Sequence, residues 1–201
     1  MGKVHEITIW ATGVIQDKEA RDVALCLATA AAKGGKYVQA FDNYVDLPDR
    51  VNVPLRKYAR ISDTEIEEKY LYENLSPEIV VVMEPTIVKG MNVLRGMAKG
   101  GTLVVNTSRS PEDILKFIPN KDLLKRIACV DATKINPKAT IDFTGSEGGV
   151  DKAGFGKGIG AVMAGATLKA TGIAELENLK SSVASPDAAA RGFAEVVVKD
   201  L

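Results

Sequence analysis

The stretch whose reading decides the fold is EIVVVMEPTIVKGMNVLRGMAKGGTLVVNTSRSPEDI, Glu78 to Ile114. The run Ile79 to Met83 is apolar, β-branched and too short for a helix, so it reads as a strand. Glu84-Pro85 interrupts it, and a segment with helical spacing follows, closed by Gly100-Gly101. A second β-branched run, Thr102 to Val105, leads into Asn106-Thr107 and a Ser-Pro-Glu-Asp helix start. Strands that are apolar on both faces belong inside a parallel sheet with helices over each side, because only there does neither face meet water. The expected fold class is therefore α/β: a single domain with a mostly parallel sheet and helices on both faces. Polar work is expected in the loops that leave the carboxyl ends of these strands, Glu84 to Thr86 and Asn106 to Ser110.

Upstream, Val4 to Trp10 alternates, with Val4, Glu6, Thr8 and Trp10 outward, and reads as the first strand. His5 at its entrance reads as structural rather than catalytic. Ala11-Thr12-Gly13 turns the chain into a helix from about Asp17 to Lys33, with Asp17 as its cap and Gly34-Gly35 as its end. With one glycine in ATGVIQ, this turn reads as an ordinary connection rather than a phosphate cradle. Tyr37 to Phe41 is a second strand, Asp42 to Arg50 a polar loop, and Val53 to Ile61 a third strand. A loop of that length and chemistry is expected to bind or touch something, and Arg50 is suited to a carboxylate, a phosphate or an acid on another chain. Ser62 to Ser76 is acidic, and Glu65, Glu67, Glu68 and Glu73 read as a solvated face.

Downstream, Ile127 to Val130 reads as a strand, Asn136-Pro137 as a break and Ala139 to Phe143 as a short strand. Thr144 to Gly160 carries seven glycines, so no regular structure is expected there. Its GFGKGIG has neither a Walker Gly-Lys-Ser/Thr nor GxGxxG spacing. Ala161 to Lys169 reads as an Ala-rich helix stopped by Thr171-Gly172, and Glu175 to Val183 and Pro186 to Val198 as short helices.

Charge is balanced, 26 basic residues against 26 acidic, and aromatics are 5%, so no basic stripe with stacking rings speaks for a nucleic-acid partner. Cys26 and Cys129 lie in apolar contexts and there is one histidine. A structural zinc needs four Cys or His ligands and a [4Fe–4S] cluster four thiolates, so any such cluster belongs to another chain. No apolar run approaches the ~18 residues of a membrane span, and the first residues lack a signal-type pattern. A soluble cytoplasmic protein is expected.

VVVMEPTIV, GGTLVVNTSRSPEDI, ACVDATKI and MAGATLKATGIAELENLK, in this order, resemble the gamma subunit of the 2-oxoacid:ferredoxin oxidoreductases; YVQAF and PLRKYARISD look like the same family. The resemblance runs from Ile7 to about Val183, giving a gamma-type domain over 1–183 with a helical extension over 184–201. It implies a chain without its own cofactor in a complex that oxidises 2-oxoacids and passes electrons to ferredoxin. Thiamine diphosphate and magnesium would sit between alpha and beta chains, and [4Fe–4S] clusters on beta and delta chains. The gamma chain would help enclose the coenzyme A side of the cleft, with Thr12, Gly13, Asn43, Tyr44 and Arg50 facing it and no catalytic acid or base.

Two departures stand out. Where the family has G-x-G-G-Q-G after the first strand, this chain has Ala11 to Gln16 with only Gly13 kept; where the family has an asparagine before Met-Leu-Gly-Ala, Gly160 stands before Met163. Val14 and Ile15 add β-branched bulk at the turn, so a coenzyme A service there is expected to be lost. Oxalate oxidoreductase, the branch needing no acyl acceptor, is therefore the favoured expectation, with an enzyme for pyruvate or a branched 2-oxoacid as its alternative. Two readings from other classes remain. A free-standing dinucleotide enzyme would use Asp42 for a ribose, and a purely structural scaffold would contact no ligand.

Overall fold

The computed structural model describes residues 2–43, 53–137 and 155–201. The expected strand from Ala139 to Phe143, Tyr44, Arg50 and most of the Gly-rich stretch lie outside the described residues.

Seven strands form one sheet in the order β2-β3-β1-β4-β5-β6-β7. They are β1 (Val4–Thr12), β2 (Tyr37–Asp42), β3 (Pro54–Ser62), β4 (Ile79–Val82), β5 (Gly101–Asn106), β6 (Leu124–Val130) and β7 (Val197–Asp200). The centre, β1-β4-β5-β6, is parallel throughout, and it contains the all-apolar runs of the Glu78–Ile114 stretch. The flanks depart from the expectation: β3 is antiparallel to both β1 and β2, and β7 is antiparallel to β6. The sheet is mostly parallel, with a reversed strand at or near each edge.

One face is covered by long helices. α1 (Gly13–Lys33) and α5 (Ile159–Thr171) pack Val23, Leu27, Val162 and Leu168 against Ile7, Ile9, Val81 and Val104. α4 (Ala132–Ile135), α6 (Leu176–Lys180) and α7 (Pro186–Glu195) complete that layer. On the other face the helices are short: α2 (Ile87–Gly90) and α3 (Pro111–Leu115) bury Ile87, Val88 and Ile114 on Trp10, Val82 and Val105. The single helix expected between Glu84 and Gly100 is thus one turn followed by irregular chain, because glycines at 90 and 96 punctuate it and Gly96 takes a left-handed φ of 83°. Ser110 does cap α3, accepting the N–H of Asp113 as the Ser-Pro-Glu-Asp signal predicts.

Other boundaries moved for visible reasons. The first helix begins at Gly13 rather than Asp17, since Gly13, with φ 75°, turns the corner from strand to helix in one residue. Asp17 is not a cap but an interior residue paired with Lys57. Ile159 and Gly160 are helical, the start of α5, although the Gly-rich pattern argues against regular structure there. α7 ends at Glu195 and Val197 to Asp200 is a strand: consecutive valines fit the pleat of β6 better than a helical turn. The outward positions Thr8 and Trp10 are buried: the chain between β3 and β4 crosses β1 on that face, and Trp10 also packs among Ile87, Val93 and Leu94 and donates its indole N–H to the Val93 carbonyl.

A crevice at the strand switch point

The chain leaves β1 through α1 toward β2 on one side, while β4 leads through α2 to β5 on the other. The carboxyl ends of β1 and β4 therefore diverge, the place where open α/β sheets receive ligands. Gln16, in the first turn of α1, bridges this divide: its Nε2 donates to Glu84 Oε2 at 3.0 Å. Glu84 also accepts from the N–H and hydroxyl of Thr86, at 3.2 and 3.0 Å. The Gln16 Oε1 is buried without a partner. Next along the edge, Asn106 joins three strand ends. Its Nδ2 donates to the Met83 carbonyl (3.0 Å) and the Thr133 hydroxyl (3.4 Å), and its Oδ1 accepts the Ala132 N–H (2.9 Å). A small cleft of about 70 Å³ opens beside it, lined by Pro85, Thr86, Lys89, Arg109 and Phe117.

Of the residues expected to face a cleft, Thr12 ends β1, Gly13 opens α1 and Asn43 follows β2, its N–H donating to the Arg56 carbonyl at 3.1 Å. All three lie at the carboxyl edge with Glu84 and Asn106, Asn43 about 10 Å from Thr12 because β3 runs between them. Tyr44 and Arg50 lie outside the described residues. The expectation named the loops of Glu84 and Asn106 but missed Gln16 as a bridging group; its signal is a lone amide just after the turn, with no acidic neighbour in the first helical turn.

Beneath the crevice lies a buried ionic cluster. Lys57, 2% exposed, pairs with Asp17 at 2.6 Å and with Asp42 at 3.5 Å, and Asp42 also pairs with Arg21. Asp42 is thereby committed to two cations, which argues against the ribose role of the dinucleotide reading. His5 is at the opposite edge of the sheet, bonded to Glu78 at 2.7 Å. Burial alone would raise the Glu78 carboxyl, but the hydrogen bonds from Lys3 and His5 outweigh it and hold it below the usual range. Both cysteines are buried and free; desolvation pushes the Cys129 thiol up to about 12 and Cys26 well above its ordinary value, with Asp22 and Glu19 adding to the latter. Neither is poised as a nucleophile or ligand. Among the described residues no group of three or more His, Cys, Asp or Glu side chains is placed to hold a metal ion, and no helix is long and apolar enough to cross a membrane.

A doubly wound sheet with polar groups gathered at its switch point defines a class: an α/β wall that frames a crevice. Comparison with known proteins gives the particular family. The profile described as Pyruvate ferredoxin/flavodoxin oxidoreductase matches residues 23–195. The chain is 34% identical over 158 residues to the pyruvate/ketoisovalerate oxidoreductases common subunit gamma of Thermococcus kodakarensis, covering 78% of this chain and 74% of that one. It is 28% identical to the NADH-dependent phenylglyoxylate dehydrogenase subunit gamma of Aromatoleum evansii, over 86% and 85% of the two chains. The crystal structure of the pyruvate oxidoreductase subunit PORC of Thermotoga maritima superposes with a TM-score of 0.71 at 28% identity, covering 98% and 99%. This chain belongs to the pyruvate ferredoxin/flavodoxin oxidoreductase family, as one of its gamma-type subunits. It is a component of a multi-subunit oxidoreductase.

Proposed function

We propose that this gamma chain serves a cytoplasmic complex that oxidises pyruvate or a branched 2-oxoacid, with coenzyme A as acyl acceptor and ferredoxin as electron acceptor. The observation that carries this reading is the 34% identity, over about three quarters of both chains, to a gamma subunit named for pyruvate and ketoisovalerate. It displaces oxalate as the favoured substrate: the relatives above are named for pyruvate, ketoisovalerate and phenylglyoxylate. The bulky Val14 and Ile15, which prompted the oxalate reading, stand at the start of α1 rather than in a free turn, so the first-turn N–H groups still end at the crevice.

The complex would hold thiamine diphosphate, magnesium and [4Fe–4S] clusters on alpha, beta and delta-type partners. The described residues of this chain do not fit a cluster, since its two thiols are buried and belong to no metal-holding group. Its own part is to bound the cleft: Thr12, Gly13, Asn43, Tyr44 and Arg50 face the substrate side, and the unpaired Gln16 oxygen receives a donor from the ligand.

The test is anaerobic purification of the complex with this chain in place, followed by reduction of a viologen dye. Reduction by pyruvate or ketoisovalerate that depends on coenzyme A is expected. Reduction by oxalate without coenzyme A would restore the other branch. In the assembled enzyme, Arg50→Ala and Asn43→Ala should each raise the KM for a cleft ligand about tenfold, the worth of one charge-assisted hydrogen bond. Unchanged kinetics in both would leave a scaffold without ligand contact.

A further inference from the structure

The chain between β3 and β4, residues 63–78, carries six carboxylates and one lysine, although the whole protein is neutral. From this segment Tyr70 and Tyr72 stand 93% and 91% exposed and Leu75 67% exposed. Large apolar groups in such numbers on one short stretch mark an interaction surface rather than a solvated one. The segment is no loose loop. Glu68 pairs with the buried Arg60 at 3.1 Å, and Glu73 pairs at 2.8 Å with Arg56, which stacks on Trp10. The Asn74 Nδ2 donates to the Ile7 carbonyl at 2.9 Å, and the Ser76 N–H to Glu6 at 2.7 Å. Gly96 lets its turn approach so closely that a β-carbon there would collide with the Leu75 carbonyl. Glu68 and Glu73, expected to be merely solvated, are thus the anchors of a strap, and the tyrosines between them are presented on a fixed base.

We propose that this strap is the docking surface for a partner subunit of the oxidoreductase, one that offers an apolar groove rimmed by lysine and arginine. The proposal rests on the gamma-subunit reading. The charge favours a basic partner: Glu65 pairs with Lys69 and Glu68 with Arg60, yet these two acids keep 69% and 62% of their side chains exposed, and with the exposed Glu67 they leave the tyrosine stretch acidic, so an acidic groove is disfavoured and a basic one steered in. The exposed side chains are the size of an interface core, not of a whole interface. Two tyrosines and a leucine cover roughly 400 Å², about half of the ~800 Å² that each side of a standard interface buries. Aromatic anchors held in place beforehand carry more of such an interface than their number suggests.

The experiment compares the wild-type chain with Tyr70→Ser/Tyr72→Ser, each expressed with its partner chains and purified anaerobically. The expected result is unchanged thermal unfolding of the isolated double variant, since both rings are solvent-facing, and at least a tenfold loss of affinity for the partner chains. Wild-type assembly should weaken with salt, and Glu67→Lys should weaken it further at low salt. A photo-crosslinker at position 72 in an otherwise wild-type chain should label a Lys/Arg-rich segment of a partner. Wild-type assembly by the double variant overturns the proposal, as does crosslinking only to a second copy of this chain. If the wild-type chain itself retains no partner, the gamma-subunit reading fails, an outcome separate from a strap variant that assembles normally.

Discussion

Nothing local in the strand sequence Arg56-Lys57-Tyr58 marks Lys57 as buried, yet it is 2% exposed and tied to Asp17 at 2.6 Å. Removing one partner strands the other charge in a low dielectric, so Lys57→Met should destabilise the chain by about 3–5 kcal/mol, measurable by urea unfolding. Asp17 looked like a helix cap for the same reason: short acids suit both caps and buried ion pairs, and only the neighbour across α1 and β3 tells them apart. Glu19 gives a pH effect of definite sign. Burial raises its carboxyl; the Gly160 N–H pulls it back, Asp22 raises it again and Lys18 lowers it, and the net shift is upward. A raised carboxyl contributes stability that is fully present below the ordinary glutamate range and is lost as pH rises through the folded value. Glu19→Gln, which keeps an acceptor for the Gly160 N–H, should therefore be the more stable protein at neutral pH, with the gap closing as the solution is acidified. Equal denaturant midpoints for the two proteins at neutral pH would contradict this.

Among the elements, α5 and α7 cross at two glycines. A β-carbon on Gly165 would strike the Ala189 carbonyl, and one on Gly192 would strike the Val162 carbonyl, so each helix approaches the other's backbone through a missing side chain. Gly165→Ala and Gly192→Ala should each cost about 1–3 kcal/mol by overpacking, seen as a fall in denaturant midpoint with little change in helical content. The Ala-rich pattern of Ala161 to Lys169 is consistent with a close helix contact, but its partner was not legible, because the small residues of α7, Ala188 to Ala190 and Gly192, lie some twenty residues on and no local pattern pairs the two helices. The final strand was illegible for a related reason. Val196 to Val198 follow an amphipathic helix in good phase, and only the open edge of β6 makes the extended form win. By contrast β4 and β5 were plain in the sequence, since a run buried on both faces leaves few alternatives to a parallel interior strand.

At the scale of the molecule, the parallel core and the carboxyl-edge crevice followed from the Glu78–Ile114 stretch, while strand direction at the flanks did not. Direction is set by connection geometry and pairing, which no local pattern records. The same limit applied to the strap: an acidic, proline-punctuated segment reads as solvated until the buried arginines beneath it are placed.

The reversed strand β7 also bears on how the protein is made. Asp200, which pairs with Arg126 of β6, is encoded 74 positions after it. At the ~5–20 residues per second of translation, the outer edge of β6 waits about 4–15 s on the ribosome before its cover emerges. Until then the nascent chain carries a bare hydrogen-bonding edge. The charges on Lys199 and Asp200 then give the finished sheet a border unsuited to pairing with a stranger. Chains interrupted shortly before Val197 should accordingly be favoured clients of ribosome-associated chaperones.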